Sequence, residues 1–119
     1  MSSTMRALVF KEIGKTAVME KPIPEPGPGE AVVRTTAALI CTSDVHTVKG
    51  ALPVPADRTL GHESVGVIHQ LGSAITGFTE GQRVAVNAVT PCYTCSYCQR
   101  GFTSQCGGAL GGYKYTESI

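Results

Sequence analysis

The sequence predicts a mainly β domain: a barrel-like core of short strands that carries a loop organised by metal. Three observations predict it. Short β-branched runs are separated by Gly and Pro, the apolar residues show hardly any helical period, and four of the five cysteines fall between Cys92 and Cys106.

Met5 to Lys11 reads as a first strand and Thr16 to Lys21 as a second, with Gly14-Lys15 as the turn between them. Pro22, Pro24, Pro26, Gly27, Pro28 and Gly29 then crowd into eight residues, which neither helix nor central strand tolerates, so this stretch is an extended surface connection. Strand character resumes from Glu30 to Ile40 and leads directly to Cys41. Residues 42 to 50 suit a turn of helix or a tight loop, and Ala51 to Thr59, with Pro53 and Pro55, reads as irregular and exposed. Val65, Val67, Ile68 and Leu71, punctuated by Gly61, Gly66 and Gly72, fit a strand with close backbone approaches. Arg83 to Val89 is a further β-branched run, and beyond Pro91 no hydrophobic periodicity organises the chain.

A chain of 119 residues has room for one domain, and that length buries a core without disulfides. Net charge is +1, and the ten Lys and Arg are spread singly, which argues against nucleic acid and anionic membrane as partners. The N-terminus lacks the apolar core of a signal peptide, and no apolar run approaches the ~20 residues of a membrane span. The expectation is a soluble, cytoplasmic protein. In a reducing compartment, cysteines at short regular spacing point to metal rather than to disulfides.

Cys92, Cys95, Cys98 and Cys106 form C-x-x-C-x-x-C-x7-C. Three thiolates can turn to one point within a tight loop while the fourth returns after a short excursion, which suits a closed tetrahedral zinc site that organises backbone. An iron–sulfur site, a redox dithiol or unrelated free cysteines are the alternatives, and the x7 gap without a neighbouring cluster motif favours zinc. The expected lobe spans residues 91–107 of a domain covering 1–119.

A second constellation lies earlier. Cys41-Thr42-Ser43-Asp44-Val45-His46 holds a thiol, hydroxyls, a carboxylate and an imidazole, and Gly61-His62-Glu63 adds another imidazole and carboxylate. Taken singly, a cysteine at a strand end is more often core than ligand. Together these residues contain the ingredients of an open zinc site, in which one coordination position stays free for water or a substrate oxygen. His69 reads as a surface residue on a strand, and Tyr113 and Tyr115 as neighbours on one sheet face.

The only glycine cluster, Gly107 to Gly112, follows the cysteine loop and precedes no helical pattern, so it is rejected as a dinucleotide-binding turn.

The order of strand, C-T-S-D-V-H, G-H-E-x-x-G, a G-x-R-V strand and cysteine lobe resembles the medium-chain, zinc-dependent alcohol dehydrogenase family from about Met5 to the end. Cys41 to Val48, Ala88-Val89-Thr90-Pro91, Gln99-Arg100-Gly101 and Gly107-Gly108 are similar to the bacterial secondary alcohol dehydrogenases. The best-known tetrameric secondary enzymes lack the cysteine lobe that this chain keeps, and Gln82 stands where the family usually has aspartate.

The resemblance implies a GroES-like β-barrel catalytic domain, without the Rossmann domain, from an enzyme that moves hydride between a secondary alcohol or ketone and NAD or NADP. It implies two zinc ions. Cys41 and His62 would hold the catalytic one with Glu63 beside it, and the usual third protein ligand would lie beyond Ile119. Asp44 would accept a hydrogen bond from His62, and Ser43 would contact the substrate hydroxyl and begin a proton relay ending at His46. The 119-residue piece alone would be inactive, and the full-length enzyme a homodimer or homotetramer. A zinc-stabilised GroES-like binding module, a zinc-free quinone reductase, or a polyol, threonine or formaldehyde dehydrogenase are the rival readings.

Overall fold

The computed structural model describes residues 3–107. Gly108 to Gly112, Tyr113 and Tyr115 lie outside the described residues, and with them the expectations placed there. The chain divides between Val86 and Asn87 into two compact units. Among the described residues no helix is long and apolar enough to cross a membrane.

The strands of the first unit are, in chain order, β1 (Thr4–Glu12), β2 (Lys15–Pro22), β3 (Ala31–Leu39), β4 (Arg58–Thr59), β5 (Glu63–Leu71) and β6 (Arg83–Val86). β1 and β2 form an antiparallel hairpin. Its turn is Ile13-Gly14, one residue earlier than expected. Gly14 takes the left-handed position at φ 79°, which frees Lys15 to pair with Glu12 through both backbone and side chain. Ala7, Val9 and Phe10 of β1 are buried and, with Ile68, make up the apolar core of this unit.

The expected irregular stretch before Thr59 ends in the two-residue strand β4, which pairs with β1. β1 would otherwise leave carbonyls unpaired on that edge, and Asp57 and Leu60 donate their N–H groups to the oxygens of Phe10 and Leu8 at 2.7 and 2.9 Å.

The second sheet places β5 between β3 and β6, all pairs antiparallel. The β3–β5 ladder carries two register irregularities, at Val32/Val33 and Thr35/Ala37, and no residue of β3 is fully buried. β6 stops at Val86 instead of reaching Val89, because the Asn87 side chain accepts the Val89 N–H at 3.3 Å and turns the backbone.

The mainly β class therefore holds, but among the described residues the strands form two separate three-stranded sheets, with no pairing that closes them into a barrel. The proline-rich stretch from Pro22 to Pro28 carries the chain from one sheet to the other with few donors for a ladder.

Helix α1 (Thr42–Val48) occupies the segment expected to be a turn of helix. Its C-terminal end is tied to the hairpin turn, with Gly14 N–H donating to Val48 O at 2.8 Å. Gly50, at φ 87°, follows it; an added Cβ would meet Ile13 Cδ1 at 2.9 Å. Ile13 is 71% exposed and can swing aside, so the backbone conformation decides the cost. Gly50→Ala should lose about 1–2 kcal/mol of stability, read as a lower urea midpoint at unchanged slope. A midpoint equal to the parent's would contradict the left-handed assignment.

The second unit contains α2 (Ser96–Gln99) and a 3-10 turn at Thr103–Gln105. Among its described residues only Cys98 and Cys106 are buried.

Candidate metal centres

Sheet register brings the open site together. Leu39 lies opposite Glu63 in the antiparallel ladder. Two residues beyond Leu39 the chain reaches Cys41, and one residue before Glu63 stands His62, so the two motifs converge just past the end of the paired strands. Cys41 is still extended, at φ −82° and ψ 155°, and α1 begins immediately after it. Gly61, at φ 106°, supplies the bend that turns His62 inward.

His62 and Asp44 are buried, at 7% and 8% exposure, and with Thr47 they are the buried polar side chains among the described residues. Ser43 Oγ lies 3.0 Å from His62 Nε2, and Asp44 Oδ1 faces His62 Nδ1 at 3.3 Å. The second Asp44 oxygen accepts the Cys41 N–H at 2.9 Å, so one carboxylate reaches both the backbone of Cys41 and the ring of His62. One ligand atom from each of Cys41, His62 and Glu63 lies within 4.8 Å of the others. Cys41 is half-buried and Glu63 exposed, so the cluster opens to solvent on one side. A tetrahedral zinc site with ~2.3 Å bonds has ligand–ligand edges of about 3.8 Å, and a thiol, an imidazole and a carboxylate oxygen are donors that zinc accepts. These three residues fit it and leave a position free.

His46 sits on the exposed face of α1, and among the described residues no hydrogen bond joins it to Ser43, whose hydroxyl meets His62 instead. His69 is exposed on its strand, as expected.

The second cluster is closed. The sulfurs of Cys92, Cys95, Cys98 and Cys106 all lie within 4.8 Å of one another. Backbone N–H groups point at them: Cys92 donates to Cys106 Sγ at 3.3 Å, Cys95 to Cys92 Sγ at 3.4 Å and Cys98 to Cys95 Sγ at 3.5 Å. Tyr93, at φ 57°, and Gly101, at φ 87°, provide the left-handed turns that fold the loop back on itself. The Thr94 hydroxyl and N–H, with the Cys95 N–H, hold the Cys92 thiol down at about 5, whereas burial and then the neighbouring Cys95 push Cys98 up to about 12. Four sulfurs with N–H···S support fit a closed tetrahedral zinc site.

Sequence reasoning missed Thr94, whose only signal is its place between two cysteines, and Thr47, one helical turn beyond Asp44. Thr47 is fully buried, and its hydroxyl has no hydrogen-bond partner among the described residues. Nothing in the sequence pattern marks Thr47.

Fold and sites together define a mainly β domain with one open and one closed cluster of side chains of the kind that bind metal. The family described as the alcohol dehydrogenase GroES-like domain matches residues 27–118, and the chain belongs to it, within the zinc-dependent medium-chain alcohol dehydrogenases. An alcohol dehydrogenase of Cupriavidus necator is 47% identical over 110 residues, which are 92% of this chain and 30% of that protein. The NADP-dependent isopropanol dehydrogenase of Thermoanaerobacter brockii is 42% identical over 114 residues, 95% of this chain and 32% of that one. Among solved structures, the alcohol dehydrogenase TADH from Thermus sp. ATN1 superposes with a TM-score of 0.82 at 35% identity, covering 91% of this chain and 34% of its own. The chain thus spans about a third of the length of the curated relatives it matches.

Proposed function

We propose that this domain carries the catalytic and structural zinc sites of a soluble, cytoplasmic NAD(P)-dependent oxidoreductase that interconverts secondary alcohols and ketones. The observation that carries the reading is the convergence of Cys41, His62 and Glu63 within 4.8 Å, with Asp44 behind the imidazole and one side open. Similarity to an isopropanol dehydrogenase supports the secondary-alcohol class.

Zinc held at this site would supply Lewis acidity, easing ionisation of an alcohol hydroxyl and polarising a ketone. Cys41 and His62 would bind the ion through sulfur and Nε2, with Glu63 beside them. Asp44, whose Oδ1 faces Nδ1 at 3.3 Å, would keep the proton on that nitrogen and so leave the Nε2 lone pair for the metal. Ser43 Oγ, 3.0 Å from Nε2, is the hydroxyl placed to take up the proton of an alcohol. His46, on the exposed face of the same helix, would pass that proton to solvent, a role for which an imidazole is chemically suited. The whole enzyme would act as a homodimer or homotetramer.

Metal content of the chain tests the reading. About one zinc is expected for each ligand set, with Cys41→Ser losing one equivalent and Cys92→Ser the other. Unchanged zinc in Cys41→Ser would rule out the open site as a metal centre.

A further inference from the structure

Asp57 is one of two non-glycine residues with left-handed backbone among those described, at φ 64°. It lies at the end of an exposed loop, five residues before His62. Several contacts hold it there. Its N–H donates to Phe10 O at 2.7 Å, Lys21 Nζ donates to its carbonyl at 2.8 Å, and Lys11 Nζ pairs with its Oδ1. Lys21 also reaches Thr59 Oγ1 at 3.0 Å. Both strands of the hairpin therefore grip a single residue of the loop, one by backbone and side chain, the other by side chain.

From Asp57 the chain runs along β1 through Arg58 and Thr59, and Leu60 N–H closes on Leu8 O at 2.9 Å. Two residue pairs are too few to fix a register against sliding. A slip of one residue would move the backbone by about 3.3 Å and send every side chain to the opposite face. His62, two residues past Leu60, would leave Ser43 and Asp44.

Resting on the reading of Cys41 and His62 as metal ligands, we propose that Asp57, gripped by Lys11 and Lys21, is a positioning residue that sets the register delivering His62 to the open site. It touches none of the ligands and acts through the short strand that connects it to His62. A left-handed aspartate at a solvent-facing loop end, contacted by lysines from two strands, is otherwise an unfavourable conformation with no compensating role in the core.

Cobalt binding to the full 119-residue chain tests this, in a background with Cys92, Cys95, Cys98 and Cys106 all changed to serine so that only the open site reports. Asp57→Ala, which removes the Lys11 contact and leaves the two backbone contacts, should weaken Co²⁺ by about tenfold and alter its visible absorption, the low end of the loss seen when a direct partner of a ligand is removed. Asp57→Asn tolerates the left-handed backbone and keeps an acceptor for Lys11, and should restore affinity to within about threefold of the parent. Gly77→Ala, strained at φ 81° between β5 and β6 and away from the hairpin, is the control for lost stability alone and should leave the spectrum unchanged. Parental affinity and spectrum in Asp57→Ala would overturn the proposal. Should the parent bind no cobalt, the metal reading itself falls, and the ¹H–¹⁵N pattern of the His62 ring decides separately. Its Nδ1–H state should be fixed in the parent and averaged in Asp57→Ala; an identical pattern in both would reject the positioning role.

Discussion

Cys106→Ser should release the lobe zinc and leave the second unit without fixed structure. Cys106 is only 1% exposed, and its sulfur accepts the Cys92 N–H that closes the loop. Metal binding in small zinc modules is worth on the order of 10 kcal/mol, and the buried side chains among the described residues of this unit are themselves thiols. Zinc content and amide exchange at Cys95, Cys98 and Gly101 report the loss; slow exchange persisting in the variant would contradict it. The same lobe should bind zinc in a pH-dependent way whose sign follows from two thiols. Cys92, lowered to about 5, is already a thiolate near neutrality, and its contribution disappears as pH falls through that value. Cys98, raised to about 12, must give up a proton to bind, so affinity should climb about tenfold per pH unit for that proton across the neutral range.

Gly72→Ala should unfold the first unit outright or nearly so. A Cβ at this buried position would stand 2.0 Å from Gly27 O, 2.6 Å from Pro28 O and 2.8 Å from Glu30 O. All three are backbone atoms, so no rotamer change relieves the clash. The crossing is also hydrogen-bonded, Gly72 N–H to Glu30 O and Ala74 N–H to Pro28 O, both at 2.8 Å, and forcing it apart breaks those bonds as well. A cost of about 4 kcal/mol or more is expected, a large part of the roughly 5–15 kcal/mol typical of a domain, with a Tm lower by roughly 20 °C. Gly77→Ala, left-handed at φ 81° but with nothing within 4 Å of an added Cβ, should cost only about 1–2 kcal/mol. Equal melting of the two variants would mean that the crossing yields easily.

Strand existence was legible because alternation and β-branching are local. β1 and β5 appear where Val9, Val65, Val67 and Ile68 place them. Strand ends were not, since they depend on single side chains and single backbone angles: Asn87 stops β6 through its side-chain oxygen, and Gly14 shifts a turn by one residue. β4 was invisible because its pairing is dictated by free carbonyls on β1, a tertiary fact. At the open site the residue types stood out in the motifs, and the family resemblance supplied their grouping. Their convergence depends on the Leu39–Glu63 register, which two irregularities in the ladder help to set and which no local pattern encodes. The supporting contacts of Thr94 and Asp57 were not legible for the same reason.

β3 stands at the rim of its sheet, without a fully buried residue along its length. From Thr35 through Ile40 the chain carries no charge and no proline, with Leu39 and Ile40 72% and 81% exposed. Such a rim is a template for adding another strand, and natural proteins commonly guard it with lysine, proline or a covering segment. Here Arg34 is the only charged residue of the strand. Among the described residues no second strand pairs with this rim, and a lysine at Thr36 would be the simplest gatekeeper against pairing there by another chain.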